Sequence, residues 1–166
     1  MGPPFPIASS RVTVPKVLIV DDHAFIRRGV QGILKAYPEW QLCGEADNGT
    51  DAVRLAGELN PEAIVMDVSM PGLNGVEATR AIRKTNKDVK ILLLTLHESS
   101  ELVRTAFHAG VNGYLLKTDA EQELVQALNA VIAQGMYVSP RIDPAVAKEL
   151  MSQGTKPNGT RDAGTN

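Results

Sequence analysis

A single cysteine, Cys43, in 166 residues excludes an intrachain disulfide and fits a reducing compartment. The chain also lacks a strong charge of either sign. Its 17 Lys and Arg against 19 Asp and Glu leave −2 at pH 7, so no global basic field points to nucleic acid. Long apolar runs are missing too. The first residues, MGPPFPIASSRVTVP, carry four prolines and no apolar stretch of signal-peptide length. The run Ile91-Leu92-Leu93-Leu94 falls far short of a membrane span. No membrane association is expected, and a cytoplasmic location is the default expectation. What is present is a 43% hydrophobic content, enough to bury one core without disulfides or a metal clip.

From Lys16 the pattern becomes regular. Val17–Val20, Ala63–Met66, Ile91–Leu94 and Tyr114–Leu116 are apolar runs too short for helices. The first three are apolar on both faces, as strands of a parallel sheet covered on both sides read. Gln41–Ala46 alternates less cleanly and predicts an edge strand. Between them, Ile26, Val30, Ile33, Leu34 and Tyr37 form one helical stripe, and Ala52, Leu55, Ala56 and Leu59 a second, ended by Pro61. Leu102, Val103, Ala106 and Phe107 precede Gly110, a C-cap residue by type, and Leu124, Leu128, Val131 and Ile132 precede Gly135. A helix over Val76–Arg83 is the weakest of the five by pattern. Five strands alternating with five helices predict a doubly wound α/β sheet of order 2-1-3-4-5. The expected organisation is a Pro-rich extension over 1–15, one domain over 16–135, a linker over 136–151 and a polar tail over 152–166.

Ligands of such sheets gather beyond the carboxyl ends of the strands. The first strand ends in Asp21-Asp22, the third in Asp67, the fourth in Thr95 and the fifth in Lys117. Any one of these aspartates alone reads as a helix cap or turn residue. Their joint placement at four strand ends reads as a site. Three crowded carboxylates call for a cation, and hard oxygen donors suit Mg²⁺. A carboxylate beside Mg²⁺, an ammonium and a hydroxyl supplies a nucleophile and charge neutralisation for phosphoryl transfer. His23, His97 and His108 lack metal-ligand spacing and are expected to be structural or solvated, with His97 nearest the site. Cys43 is expected in a strand, and Trp40 at the end of the first helix.

The segments Val-Leu-Ile-Val-Asp21-Asp22-His23, Met66-Asp67-Val68-Ser69-Met70-Pro71-Gly72-Leu73-Asn74-Gly75, Leu94-Thr95 and Gly113-Tyr114-Leu115-Leu116-Lys117 resemble the receiver domains of two-component response regulators. Arg27-Arg28-Gly29-Val30, Leu-Leu-Lys-Thr and Gly135-Met136-Tyr137-Val138-Ser139-Pro140 resemble the NarL/FixJ branch. The resemblance implies a flavodoxin-like (CheY-like) fold. It also implies that Asp67 takes a phosphoryl group from a sensor histidine kinase or phosphotransfer protein. Asp22, Asp67 and the Ser69 backbone carbonyl would hold Mg²⁺, with Asp21 acting mainly through water. Lys117 and Thr95 would bind the phosphoryl group. Thr95 and Tyr114 would turn inward together as the switch, read out on the fourth helix, fifth strand and fifth helix. Homodimerisation on phosphorylation is a further implication. Thr118 stands where many receivers have proline, so a trans bond is expected. Leu96, bulky for its position, is expected to narrow access to the site.

Branch members carry a C-terminal helix-turn-helix. Here 26 residues follow Pro140, enough for one short helix from Asp143 and Pro144 to Met151, and SQGTKPNGTRDAGTN cannot build a core. No DNA binding is expected from this chain. It reads either as a stand-alone receiver or as the receiver part of a transcription regulator. Haloacid-dehalogenase phosphatases share an Asp nucleophile, Mg²⁺, a Thr or Ser and a Lys, but use Asp-x-Asp after the first strand. Here Ser69 stands two after Asp67, with no acid/base, so no activity beyond self-phosphorylation and dephosphorylation is expected. A phosphorylation-independent interaction module is the third reading, and retention of all five key positions speaks against it.

Overall fold

The computed structural model describes residues 14–154. The extension over 1–15 and the tail over 152–166 therefore lie almost wholly outside the described residues. In chain order the elements are β1 (Lys16–Val20), α1 (Ala24–Lys35), β2 (Gln41–Ala46), α2 (Gly49–Leu59), β3 (Ala63–Asp67) and α3 (Gly75–Arg83). There follow β4 (Lys90–Thr95), α4 (Ser100–Ala109), β5 (Gly113–Leu116), α5 (Ala120–Ala133), β6 (Tyr137–Val138) and α6 (Pro144–Gly154). The strands form one sheet of order β2-β1-β3-β4-β5-β6, and every neighbouring pair is parallel.

The five-stranded, five-helix expectation is thus corrected to six of each among the described residues. The expected order 2-1-3-4-5 stands within it, with β6 added beside β5. Two residues are too few to show an apolar period, so β6 owes its order to pairing with β5, Gly113 opposite Tyr137 and Tyr114 opposite Val138. The linker helix α6 does form. Asp143 Oδ1 accepts from Ala145 N at 2.9 Å, and Pro144 occupies the first turn, where a missing N–H costs nothing.

Each face of the sheet carries its own core. Leu18, Ile64, Met66, Ile91, Leu93 and Tyr114 face α2, α3, α4 and α6, whereas Val17, Ile19, Val65, Leu92, Leu94 and Leu115 face α1 and α5. This two-sided burial is why β3 and β4 read as unbroken apolar runs. Edge strand β2 alternates poorly because its register shifts, Val17 pairing Leu42 but Leu18 pairing Gly44. Cys43 falls in the skipped position, half-buried, its thiol donating to Val17 O at 3.4 Å. Burial pushes that thiol's pKa up. Helix α3 has a faint pattern because its core side is built of Gly75, Ala78 and Thr79 beside Val76 and Ile82. Asn74 caps it, accepting from Glu77 N at 2.9 Å. Trp40 is buried below α1, its indole N–H donating to Asn129 Oδ1 on α5 at 3.2 Å.

Candidate phosphoryl-transfer site

The parallel arrangement brings the carboxyl ends of β1, β3, β4 and β5 to one edge. Asp21, Asp67 and Thr95 are buried there, Asp22 is half-buried, and Lys117 is largely covered. The Lys117 ammonium lies 3.0 Å from Asp21 Oδ2 and 3.2 Å from Asp67 Oδ2, bridging the two carboxylates. Five residues far apart in sequence, Asp21, Asp22, Asp67, Thr95 and Lys117, thus share one strand-end crevice.

Local structure fixes each of them. Asp21 N donates to Ala46 O at 3.1 Å, and the Arg27 guanidinium reaches back from α1 to Asp21 O at 2.6 Å. Asp67 Oδ1 accepts from Ser69 N at 3.3 Å. After Asp67 the chain turns through Met70-Pro71-Gly72, with Gly72 at φ +74°, as a type II turn requires. The loop then folds back until Gly75 N donates to Val68 O at 2.8 Å. A Cβ on Gly75 would sit 2.2 Å from Asp67 O, so only glycine lets α3 begin so close to this carboxylate.

Thr95 Oγ1 accepts from His97 N at 3.1 Å. The Tyr114 ring is fully buried, and its hydroxyl donates to His97 O at 2.6 Å. Burial pushes that hydroxyl's pKa up to about 12, with the neighbouring Thr95 hydroxyl opposing. The aromatic expected to turn inward therefore lies inward in this structure. The backbone contains no cis peptide bond among the described residues, as expected at Lys117-Thr118.

The contacts of three residues escaped the sequence. His23 is largely exposed, as expected, and its Nδ1 also lies 3.0 Å from Asp22 Oδ1 and 3.2 Å from Asp21 Oδ1. Its position next to the acidic pair was the available signal. His97 Nε2 meets Ser69 Oγ at 3.2 Å, closing one rim of the crevice across two loops with no common pattern. Leu96, 68% exposed, stands on the same loop as His97. Arg27 was read only as part of a motif, and its reach back to the strand end depends on helical spacing from His23.

Burial and, second, the charge of Asp21 raise the pKa of Asp67 above the ordinary carboxylate value, while Lys117 opposes them. One lysine thus leaves negative charge uncompensated. Asp21 Oδ2 and Asp22 Oδ1 are buried and accept no hydrogen bond, their close contacts being the ion pairs with Lys117 and His23. One donor atom each from Asp21, Asp22, His23 and Asp67 lies within 4.8 Å of all the others. These mostly hard oxygen donors fit a small divalent cation such as Mg²⁺.

Comparison with known proteins agrees. Residues 17–129 match the model of the response regulator receiver domain. The chain is 39% identical to the response regulator GacA of Pseudomonas aeruginosa over 132 residues, 80% of this chain and 62% of that protein. It is 37% identical to the transcriptional regulatory protein DegU of Brevibacillus brevis over 134 residues, 81% of this chain and 57% of that protein. The chain therefore spans about three fifths of the length of these curated relatives. Among solved structures, a LuxR-family two-component response regulator from Aurantimonas sp. superposes with a TM-score of 0.73 at 34% identity, covering 87% of this chain and all of that one. The receiver domain of the putative response regulator NarL from Mycobacterium tuberculosis gives 0.69 at 30% identity, covering 72% of this chain and 98% of that one. With its strand-end carboxylates, lysine and threonine in place, the chain belongs to the response regulator receiver domain family of two-component systems, homologous to regulators of the NarL/FixJ type.

Proposed function

We propose that Asp67 is the phosphoacceptor of this receiver, fed by a sensor histidine kinase or phosphotransfer protein in the cytoplasm. The observation that carries the reading is the Lys117 ammonium held 3.2 Å from Asp67 and 3.0 Å from Asp21. An Asp67 oxygen attacks phosphorus, the N–P bond of the donor phosphohistidine breaks, and an aspartyl phosphate forms. As the phosphoryl oxygens take the position beside Asp67, Lys117 exchanges its carboxylate contact for them, and the Thr95 hydroxyl donates to a second oxygen. Asp22, Asp67 and the Ser69 carbonyl would hold Mg²⁺, with Asp21 acting through water. Bound there, that ion would neutralise charge on the transferring group. Thr95 and Tyr114 form the switch. The chain catalyses its own phosphorylation and dephosphorylation and no other reaction.

The match to a transcriptional regulatory protein such as DegU supports the receiver part of a transcription regulator as one setting, a stand-alone receiver being the other. Phosphorylation-dependent homodimerisation goes with the first. The test is incubation with acetyl phosphate with and without Mg²⁺, read by intact mass for wild type and Asp67→Asn. The expected outcome is a Mg²⁺-dependent gain of about 80 Da, one phosphoryl group, absent from the variant. No gain from either acetyl phosphate or a phosphorylated kinase would leave the phosphorylation-independent module as the better reading.

A further inference from the structure

Strand β5 would be the sheet edge without the segment Tyr137–Leu150, which runs along it as a strap. Tyr137 N donates to Asn112 O at 3.0 Å and Ser139 N to Tyr114 O at 2.9 Å. Buried Ser139 Oγ accepts from Leu116 N at 2.9 Å. Val138 is in register with Tyr114, so both side chains lie on the same face of the sheet. Beyond it, Ile142, Val146 and Leu150 are buried in the cluster that contains Tyr114, Val103 and Ala106. Polar fasteners hold the strap on both sides: Arg104 of α4 meets Glu149 at 3.2 Å, Arg141 meets Asp119 at 3.2 Å, and Tyr137 donates to Glu123 of α5. A connector without a role of its own would not bury three apolar side chains and a serine.

We propose that this strap is a ligand carried in cis for the inward state of Tyr114, so that its docking and the phosphorylation of Asp67 reinforce each other. The inference rests on the phosphoacceptor reading of Asp67. Tyr114 is fully buried, its hydroxyl fixed on the His97 carbonyl next to Thr95. A ring rotated outward from β5 would have to enter space filled by Val138 and the buried face of α6, and a packed interior has no room for both. Strap docked and Tyr114 inward are therefore one state. A phosphoryl group that draws Thr95 toward Asp67 favours the inward ring and tightens the strap. Whatever pulls the strap away frees the ring and weakens the site's hold on the phosphoryl group, by the same factor. The covered surface is the α4–β5 face, so the strap also decides when another molecule can reach it.

The test is amide hydrogen exchange of the full chain in Mg²⁺, with and without BeF₃⁻ as the phosphoryl mimic. Exchange over residues 137–150 is expected to slow by about fivefold or more on BeF₃⁻ binding. Val146→Ala is expected to weaken BeF₃⁻ binding by a comparable factor. Should that variant unfold, Glu149→Arg loosens only the exposed fastener; it is expected to weaken binding measurably, with Arg104→Glu restoring it. Binding of BeF₃⁻ to wild type with unchanged exchange over 137–150 would overturn the strap alone. No binding of BeF₃⁻ at all would overturn the reading of Asp67, and the strap with it.

Discussion

Asp67 is held by opposing effects, and their balance sets what its replacement does. Burial and the Asp21 charge raise its pKa above the ordinary value of 3.8, and Lys117 pulls the other way without cancelling them. The folded protein therefore holds this proton more tightly than the unfolded chain does. The resulting contribution to stability is fully present below the ordinary carboxylate value and is lost as pH rises through the raised one. At neutral pH an ionised Asp67 in the metal-free site opposes folding. Asp67→Asn removes that charge and leaves Lys117 paired with Asp21. Thermal melts without divalent ions should show the variant raised by roughly 2–4 °C at pH 7, the shift that about 1 kcal/mol gives in a chain of this size. The gain should shrink as pH falls toward the ordinary carboxylate value. A lower midpoint for Asn at pH 7 would mean that the Lys117–Asp67 ion pair outweighs the crowding.

Elements differ in how far they depend on partners, and α6 depends on them heavily. Its apolar side is Val146 and Leu150, both buried, while Met151 next to them is 56% exposed. Leu150→Ala should therefore lower stability by about 2–4 kcal/mol, as for a core leucine, and Met151→Ala by less than about 1 kcal/mol. Equal small effects in urea titrations would show α6 to be a surface appendage. The same dependence explains what the sequence could and could not convey. Strands β1, β3, β4 and β5 are buried, so their apolar runs announce them, and the strand-end residues Asp21, Asp22, Asp67, Thr95 and Lys117 follow directly. Strand β6 is two residues whose order comes from β5, so it does not stand out by period, whereas α6 is announced by Asp143 and Pro144 at its start rather than by its narrow apolar stripe. The sixth strand of the sheet therefore carries no pattern of its own. Within the site, contacts that cross between loops, such as Ser69 with His97, have no sequence period to betray them. The contact of His23 with the acidic pair, by contrast, follows from its place next to Asp21 and Asp22 in the sequence.

At the scale of the whole molecule the crevice lies between two unlike sides. The strap covers the α4–β5 side, whereas α1 and α5 bound an open cleft of about 640 Å³ that reaches Lys117. Phe25, four residues after Asp21, is 79% exposed, although a large aromatic has every reason to be covered. Phe25, Gly29 and Gly32 of α1 and its C-cap Ala36 recur at helical spacing, and a Cβ added at either glycine would meet nothing within 4 Å. One exposed ring above a strip without side chains lets the axis of another helix come close. On the proposed phosphoacceptor reading a donor histidine reaches Asp67 from outside the crevice, and this cleft, which meets the crevice at Lys117, lies on the side that the strap leaves uncovered. On that same proposed reading, Phe25 is the exposed side chain placed to meet a phosphodonor protein without touching the chemistry. Replacing it by alanine should slow phosphoryl transfer from a cognate kinase or phosphotransfer protein about tenfold or more, since a buried aromatic anchor carries roughly 1.4–2 kcal/mol or more. Labelling by acetyl phosphate, which needs no docking surface, should stay at the wild-type rate. The comparison is internal to one variant, so it separates docking from folding: loss of both rates would place Phe25 in the fold or the site, and loss of neither would move the docking surface off α1.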